Sequence, residues 1–222
     1  MKQLILYLVV LLFTFACNDN SIQTKEQISD TLATLPFFDQ PDWTPEWIQT
    51  SDSPYKKIHT IPAFSFTDQN GNKITEQTVQ GKIYVANFFF TKCRSICPKM
   101  TRNMYLLQEA FKKDSSILFL SHSVTPQSDS VLVLQQYAIQ NKVNATQWHL
   151  LTGSQKDIYA LAKQQYFAGD TVGFYQSGNE FLHTENFILI DKHRRIRGVY
   201  NGTLLVEMDR IKEDINILKK ED

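Results

Sequence analysis

The run Ile83-Tyr84-Val85-Ala86-Asn87-Phe88-Phe89-Phe90 constrains the fold more than any other part of this 222-residue chain. It is almost unbroken in apolar residues, so both its faces must be covered, as in a central strand of a sheet. Such a strand needs a layer above and a layer below, and the rest of the chain offers both in alternation. Before it, Ile61-Pro62-Ala63-Phe64-Ser65-Phe66-Thr67, the turn-forming Asp68-Gln69-Asn70-Gly71-Asn72 and Lys73-Ile74-Thr75 predict a hairpin. After it, Met100, Met104, Leu107 and Phe111 recur at spacings of 4, 3 and 4, which is one buried helix face. Ile117 to Leu120 reads as a second buried strand, and Val131, Leu134, Tyr137 and Ala138 mark a second helix. Trp148 to Gly153 reads as a short strand and turn, and Ser154 caps a helix that turns Ile158, Leu161 and Ala162 inward. Tyr166 to Leu182 carries Gly169, Gly173 and Gly178 without a period, so it reads as a loop. Phe187 to Asp191, the charged turn Lys192-His193-Arg194-Arg195 and Ile196 to Tyr200 form a second hairpin. A last helix places Leu205, Met208, Ile211, Ile215 and Leu218 on one side. This order predicts an α/β protein: a central mixed sheet flanked by helices, with an N-terminal hairpin.

The ends of the chain have a different character. Met1-Lys2 is a positive start, and Leu4 to Ala16 is an uncharged, mostly apolar run of 13 residues. A helix needs about 20 such residues to span a bilayer, so the run suits a signal-peptide core instead. Thr14-Phe15-Ala16-Cys17 resembles the lipobox of bacterial lipoproteins, in which the cysteine is lipidated and becomes the mature N-terminus. Residues 1–17 are therefore expected to be a lipoprotein-type signal ending in the lipid acceptor Cys17. Residues 18–54 are polar with Pro36, Pro41 and Pro45, and are expected to act as a flexible tether. Within them, Leu35 to Trp47 is aromatic enough to pack along the surface of the domain. Residues 55–222 form the domain. The expected location is the cell envelope, membrane-anchored, with the domain facing the periplasm or the outside, where disulfides are permitted. Lysine plus arginine equals aspartate plus glutamate at 23 each, so no basic face invites nucleic acid.

With Cys17 assigned to the lipid, Cys93 and Cys97 remain, and they stand where the central strand hands over to a helix. Pro98 suits the first turn of that helix, because its missing N–H has no partner there anyway. Unpaired N–H groups and the positive end of the helix dipole favour a thiolate at such a place. Lys92, Arg94, Lys99 and Arg102 add positive charge nearby. Two thiolates four residues apart can face one centre, and as soft donors they suit copper(I) or zinc. Two ligands rarely suffice, so a third should come from a distant part of the chain. Of five histidines, His59, His149 and His193 sit in structural contexts. His122 follows a central strand. His183 begins the strand after the long loop, at the kind of sheet edge where functional groups gather. Met100 and Met104 sit at core spacing and read as packing rather than as metal ligands.

Phe90-Thr91-Lys92-Cys93-Arg94-Ser95-Ile96-Cys97-Pro98 resembles the C-x-x-x-C-P motif of the Sco/SenC family of thioredoxin-like copper chaperones. His183, followed by Phe187-Ile188-Leu189-Ile190-Asp191, matches the family's distant histidine. Ser123-Val124-Thr125-Pro126-Gln127-Ser128-Asp129 is similar to the family's S-V-D-P-x-x-D segment. The likeness runs from about Ile61 to the last helix. It implies a thioredoxin-like fold and a copper site made of Cys93, Cys97 and His183. It also implies delivery of copper to the binuclear copper site of cytochrome c oxidase. The expected partners are then the oxidase subunit that holds that site and a thiol–disulfide reductant that keeps Cys93 and Cys97 ready. Two positions depart from the pattern: Thr125 replaces the usual acidic residue, and Leu182 stands where an Asp is common.

A second reading has the same pair exchange a disulfide with a client outside the cytoplasm, as a thiol–disulfide oxidoreductase. The C-x-x-x-C spacing weighs against it. So does the lack of a proline between Tyr166 and Asp191, where thioredoxin-type redox enzymes carry a cis-proline. The two readings share a step, since the thiols must be reduced before copper binds. The first expectation is therefore a metallochaperone with disulfide chemistry as an accessory activity. A peroxidase of similar fold is a weaker third reading.

Overall fold

The computed structural model describes residues 34–169 and 184–221. A pair of two-residue strands, β1 (Phe37–Phe38) and β2 (Pro45–Glu46), and a 3-10 turn at Ser53–Lys57 precede the hairpin β3 (Ser65–Thr67) and β4 (Lys73–Thr75). Then come β5 (Ile83–Phe89), α1 (Cys97–Ala110), β6 (Ile117–Ser123), α2 (Val131–Gln140), β7 (Trp148–Leu151) and α3 (Gln155–Ala160). Strands β8 (Asn186–Ile190) and β9 (Ile196–Asn201) and helix α4 (Leu205–Leu218) complete the described chain.

Five strands form one mixed sheet in the order β7-β6-β5-β8-β9. β5, β6 and β7 are parallel, and β8 and β9 join antiparallel. This is the expected α/β arrangement with a central mixed sheet and an N-terminal hairpin. All seven residues of β5 are buried, which is why that strand shows no polar alternation. Its side chains divide by parity. Ile83, Val85 and Phe89 meet Met100, Met104 and Leu107 of α1, Leu134 of α2 and Met208, Ile211 and Ile215 of α4. Tyr84, Ala86 and Phe88 meet Phe66 and Ile74 of the hairpin and Ile158, Leu161 and Ala162. α3 passes into one wide turn at Leu161–Gln165, closed by Tyr166 N–H donating to the Leu161 carbonyl at 3.0 Å.

On the α1 face of the sheet, the buried polar side chains of β5, β6 and β7 bond to one another. The Ser121 hydroxyl donates to Asn87 Oδ1 at 2.6 Å and accepts from Trp148 Nε1 at 2.8 Å. Below the sheet edge, the Arg197 guanidinium, 3 % exposed, donates to the carbonyls of Leu35 and Pro36 and to the Glu221 carboxylate. It also lies over the Phe37 ring. Residues 34 onward, read from the sequence as part of the tether, are thereby folded against β9 as far as Phe37.

Two expectations differ in detail. Ile61 to Phe64 is not strand: Ile61 N–H donates to the Arg194 carbonyl, and pairing begins only at Ser65. Pro62 lacks the donor that a ladder would need. Leu205 is 63 % exposed although it shares the spacing of Met208 and Ile211. It is the first residue of α4, and the sheet it would cover lies further along the helix.

The parallel order brings the C-terminal ends of β5 and β6 to one edge. β8 runs the other way, with Ala86 opposite Ile188, so its first residue comes to that same edge. Gly202, after β9, fixes the approach. Its N–H donates to the Glu185 carbonyl at 2.7 Å, and its carbonyl accepts from Asn103 of α1 at 2.8 Å. A Cβ at Gly202 would stand 2.6 Å from the Phe187 ring and 2.9 Å from that carbonyl oxygen. Only glycine lets the three segments meet.

Candidate metal centre

After Phe89 the chain leaves the sheet and turns, with Cys93 N–H donating to the Phe90 carbonyl at 3.3 Å. α1 then starts at Cys97, with Pro98 in its first turn and Ile96 as the residue before it. Ile96 offers no side-chain cap, so the first N–H groups of the helix need another acceptor. Cys93 fills that role: Cys97 N–H donates to Cys93 Sγ at 3.4 Å. The spacing of four residues is therefore the reach from a loop sulfur to the first N–H of the helix.

Both cysteines are free thiols and nearly buried, Cys93 at 8 % exposure and Cys97 at 3 %. They are electrostatically unequal. Burial alone would raise the Cys93 thiol, but hydrogen bonds from the Cys97 thiol and from the N–H groups of Cys97, Ser95 and Ile96 outweigh it, and its pKa falls below the usual value. Burial and the Cys93 sulfur push Cys97 up to about 12. Of the reduced pair Cys93 is therefore the more acidic thiol, and the Cys97 thiol donates to it. Lys92, Arg94, Lys99 and Arg102 are all exposed around this end, and none forms an ion pair with a described residue. Met100 and Met104 are fully buried in the core under α1, as their spacing predicts.

The chain is tied down on both sides of the cysteines by α2 and the residues leading into it. Before Cys93, Thr91 N–H and Thr91 Oγ1 donate to Asp129 Oδ2 and Oδ1 at 3.2 and 2.6 Å. Asp129 has no exposed surface, and it also accepts from Ser123 Oγ at 2.5 Å and Thr125 Oγ1 at 3.1 Å. The departure at Thr125 is thus absorbed into this cluster. After Cys97, Thr101 Oγ1 shares a 2.7 Å hydrogen bond with the Tyr137 hydroxyl of α2. In the sequence, Ser123 to Asp129 carries only a family likeness, and no local pattern marks Asp129 as the partner of Thr91.

The histidines separate clearly. His59 Nε2 meets the Gln165 carbonyl at 2.8 Å, His149 Nδ1 meets Asp68 Oδ2 at 3.2 Å, and His193 is exposed in its turn. His122 is fully buried on the sheet face opposite α1, among Phe64, Phe66, Phe88 and Tyr166, and neither ring nitrogen has a partner. Among the described residues no three His, Cys, Asp or Glu side chains gather as a metal site. His183, Leu182 and Cys17 lie outside the described residues. Thr184, at the site's edge, is buried, and its hydroxyl accepts from Asn186 N–H at 3.2 Å. No described helix is long and apolar enough to cross a membrane.

The donor set available here is two sulfurs, soft and close together, one of which ionises more readily than an ordinary thiol. That suits a soft cation such as copper(I). Loading through both sulfurs requires removal of the Cys97 proton, as metal binding generally does for thiol ligands.

The sequence model of the SCO1/SenC family matches residues 52–218. A SCO1 protein homolog of Bacillus subtilis is 28 % identical over 159 residues, covering 71 % of this chain and 81 % of that one. The crystal structure of a SCO1/SenC family lipoprotein from Bacillus anthracis superposes with a TM-score of 0.65 at 30 % identity, covering 73 % of this chain and 96 % of that one. BsSco, a member of the Sco family of cytochrome c oxidase assembly proteins in which a disulfide switch was identified, gives 0.63 at 26 % identity, covering 74 % and 95 %. ScoI of Bradyrhizobium japonicum, solved with copper bound, shares the fold with a TM-score of 0.54 at 21 % identity over 68 % of this chain and 98 % of that one.

Proposed function

This chain belongs to the SCO1/SenC family, and from that premise we propose that it is a copper-carrying assembly factor for cytochrome c oxidase. Copper is its cargo, held by Cys93, Cys97 and His183 and passed to the binuclear copper site of the oxidase. The lipid on Cys17 anchors it in the envelope, with the domain facing the periplasm or outside.

The observation that carries this reading is the unequal thiol pair at the start of α1. Cys93 accepts from Cys97 N–H at 3.4 Å and is the easier thiol to ionise, while burial and the Cys93 sulfur push Cys97 up to about 12. A metal held by both sulfurs would sit at the start of α1 and would displace the Cys97 proton. Three ligands in all leave a copper ion accessible to an acceptor, as transfer requires. The family membership and the copper-bound ScoI relative support the identity of the cargo.

The same inequality supports thiol–disulfide exchange as a second activity. The Cys93 thiolate attacks a client disulfide and forms a mixed disulfide. Cys97 then loses its proton, attacks Cys93 Sγ and releases the client as two thiols, leaving a Cys93–Cys97 disulfide. A cellular reductant returns the pair to its copper-ready state.

One experiment separates the readings. The soluble domain, reduced and oxidised, is titrated with copper and then mixed with an apo copper-site domain of the oxidase. The reduced form is expected to bind one copper per chain and hand it over, and the oxidised form to bind none. Movement of electrons without metal would favour the oxidoreductase. Full copper retention by His183→Ala would remove the third ligand from the proposal.

A further inference from the structure

Thr91 and Asp129 are 38 positions apart in the chain, yet the two are bonded twice, and their contact closes the loop that carries Cys93. Asp129 is fully buried and immediately precedes Ser130, the capping residue of α2, whose hydroxyl accepts from Val133 N–H. Three donors converge on its Oδ2: Thr91 N–H, Ser123 Oγ and Thr125 Oγ1. Its Oδ1 takes the Thr91 hydroxyl. A carboxylate whose lone pairs are all directed at one loop and the end of one strand is a fixed point rather than a swinging group. Two turns further along α2, Tyr137 reaches Thr101 on α1, and its ring lies 5.5 Å from that of Phe89. α2 and the residues just before it therefore grip the chain at Thr91, two residues before Cys93, and at Thr101 in α1, one turn after Cys97.

We propose that Asp129 is a positioning residue for the cysteine pair. Its clamp on Thr91 sets where Cys93 Sγ stands against the N–H groups at the start of α1, and so biases the pair towards the dithiol form that takes up copper. The inference rests on Cys93 and Cys97 being the working pair of the proposed function. The geometry gives the direction. In the reduced protein Cys93 Sγ is held for contact with the helix N-terminus, 3.4 Å from Cys97 N. A loop released from Asp129 no longer holds the sulfur there. The reduced form loses that stabilisation, and the disulfide form, tied by its own covalent bond, loses less.

The test reads the dithiol–disulfide equilibrium without copper, in a glutathione buffer. Each Cys93–Cys97 disulfide formed gives up two protons and two electrons, which convert one oxidised glutathione into two reduced molecules. Thr91→Val removes one donor to Asp129 with no change of charge and almost none of shape. It is expected to shift the equilibrium towards the disulfide by about tenfold, or about 30 mV for a two-electron couple. Asp129→Ala is expected to shift it at least as far, and Thr91→Ser, which keeps both donors, to stay within about twofold of the wild type. Urea unfolding of the same variants reports the purely structural share. An equilibrium within about twofold of wild type for Thr91→Val and Asp129→Ala, with only the urea midpoint lowered, overturns the proposal. Copper titration of the wild type is a separate arm. A wild type that binds no copper removes the chaperone reading and leaves the clamp to be judged by the glutathione equilibrium alone.

Discussion

If Cys93 and Cys97 both bind copper as thiolates, copper affinity must rise with pH, and the structure sets how steeply. Cys97 keeps its proton up to about 12, through burial and the neighbouring Cys93 sulfur. At any lower pH, seating copper on its sulfur expels that proton. One proton released per copper means a tenfold gain in affinity per pH unit, or about 1.4 kcal/mol. At pH 7.5 the gap to about 12 corresponds to roughly 6 kcal/mol that the copper–sulfur bond must overcome. Cys93 adds to the slope only below its own lowered pKa, so the slope never falls under one in this range. Between pH 7.5 and 9.5 the affinity is expected to rise at least about 100-fold. The measurement is competition for copper(I) against a chelator whose own protons are lost below pH 6, in the absence of competing thiols. Cys97→Ser should bind more weakly and lose the part of the slope that belongs to Cys97. A wild-type rise of less than threefold over those two units would refute the argument, because Cys97 would then not be giving up a proton to the metal.

Two further expectations concern the scaffold. His122 is fully buried without a partner, and burial lowers its pKa to about 3, whereas an unfolded histidine titrates near 6.5. Between those values the unfolded chain binds the extra proton, so the stability is complete above about pH 6.5 and is lost as pH falls. From pH 7.5 to 5.0, His122→Leu should lose about 2 kcal/mol less than the wild type in urea unfolding; equal losses would show that His122 does not stay neutral. Gly202→Ala places a Cβ 2.6 Å from the Phe187 ring and should destabilise by about 1–3 kcal/mol. Because Gly202 also seats Glu185 next to buried Thr184, the variant should bind copper more weakly, and unchanged stability and affinity would discard this account.

Much of the fold was legible because its causes are local or periodic. A strand buried on both faces needs apolar residues throughout, and Ile83 to Phe90 could be read as such without a partner in view. The helix after Cys97 followed from the spacing of Met100, Met104 and Leu107 together with Pro98. The cysteine pair was legible because it stands where the central strand hands over to a helix; that the spacing of four is the reach from the loop sulfur to the first helical N–H appeared only in the fold. Leu205 misled, because periodicity marks a helix face but does not say where the sheet beneath it ends. Ile61 to Phe64 misled, because alternation persists through a proline that cannot join the ladder.

What sequence alone determined was the class of the protein and the chemistry of its two thiols: an α/β domain in which soft donors sit at a helix start. The inequality between those thiols needed the folded chain, because it arises from which sulfur lies against the N–H groups and which is buried behind it. The clamp through Asp129 needed it too. Thr91 and Asp129 are 38 positions apart, and no period or spacing announces a hydrogen bond over that distance. The parallel pairing of β5 with β6, which places Phe89 opposite Ser123, is what brings them together. The same is true of Gly202, whose need for a missing side chain appears only when Phe187, Glu185 and Asn103 converge on it. Local propensity and periodicity are written along the chain, whereas contacts across the sheet exist only once the register is chosen.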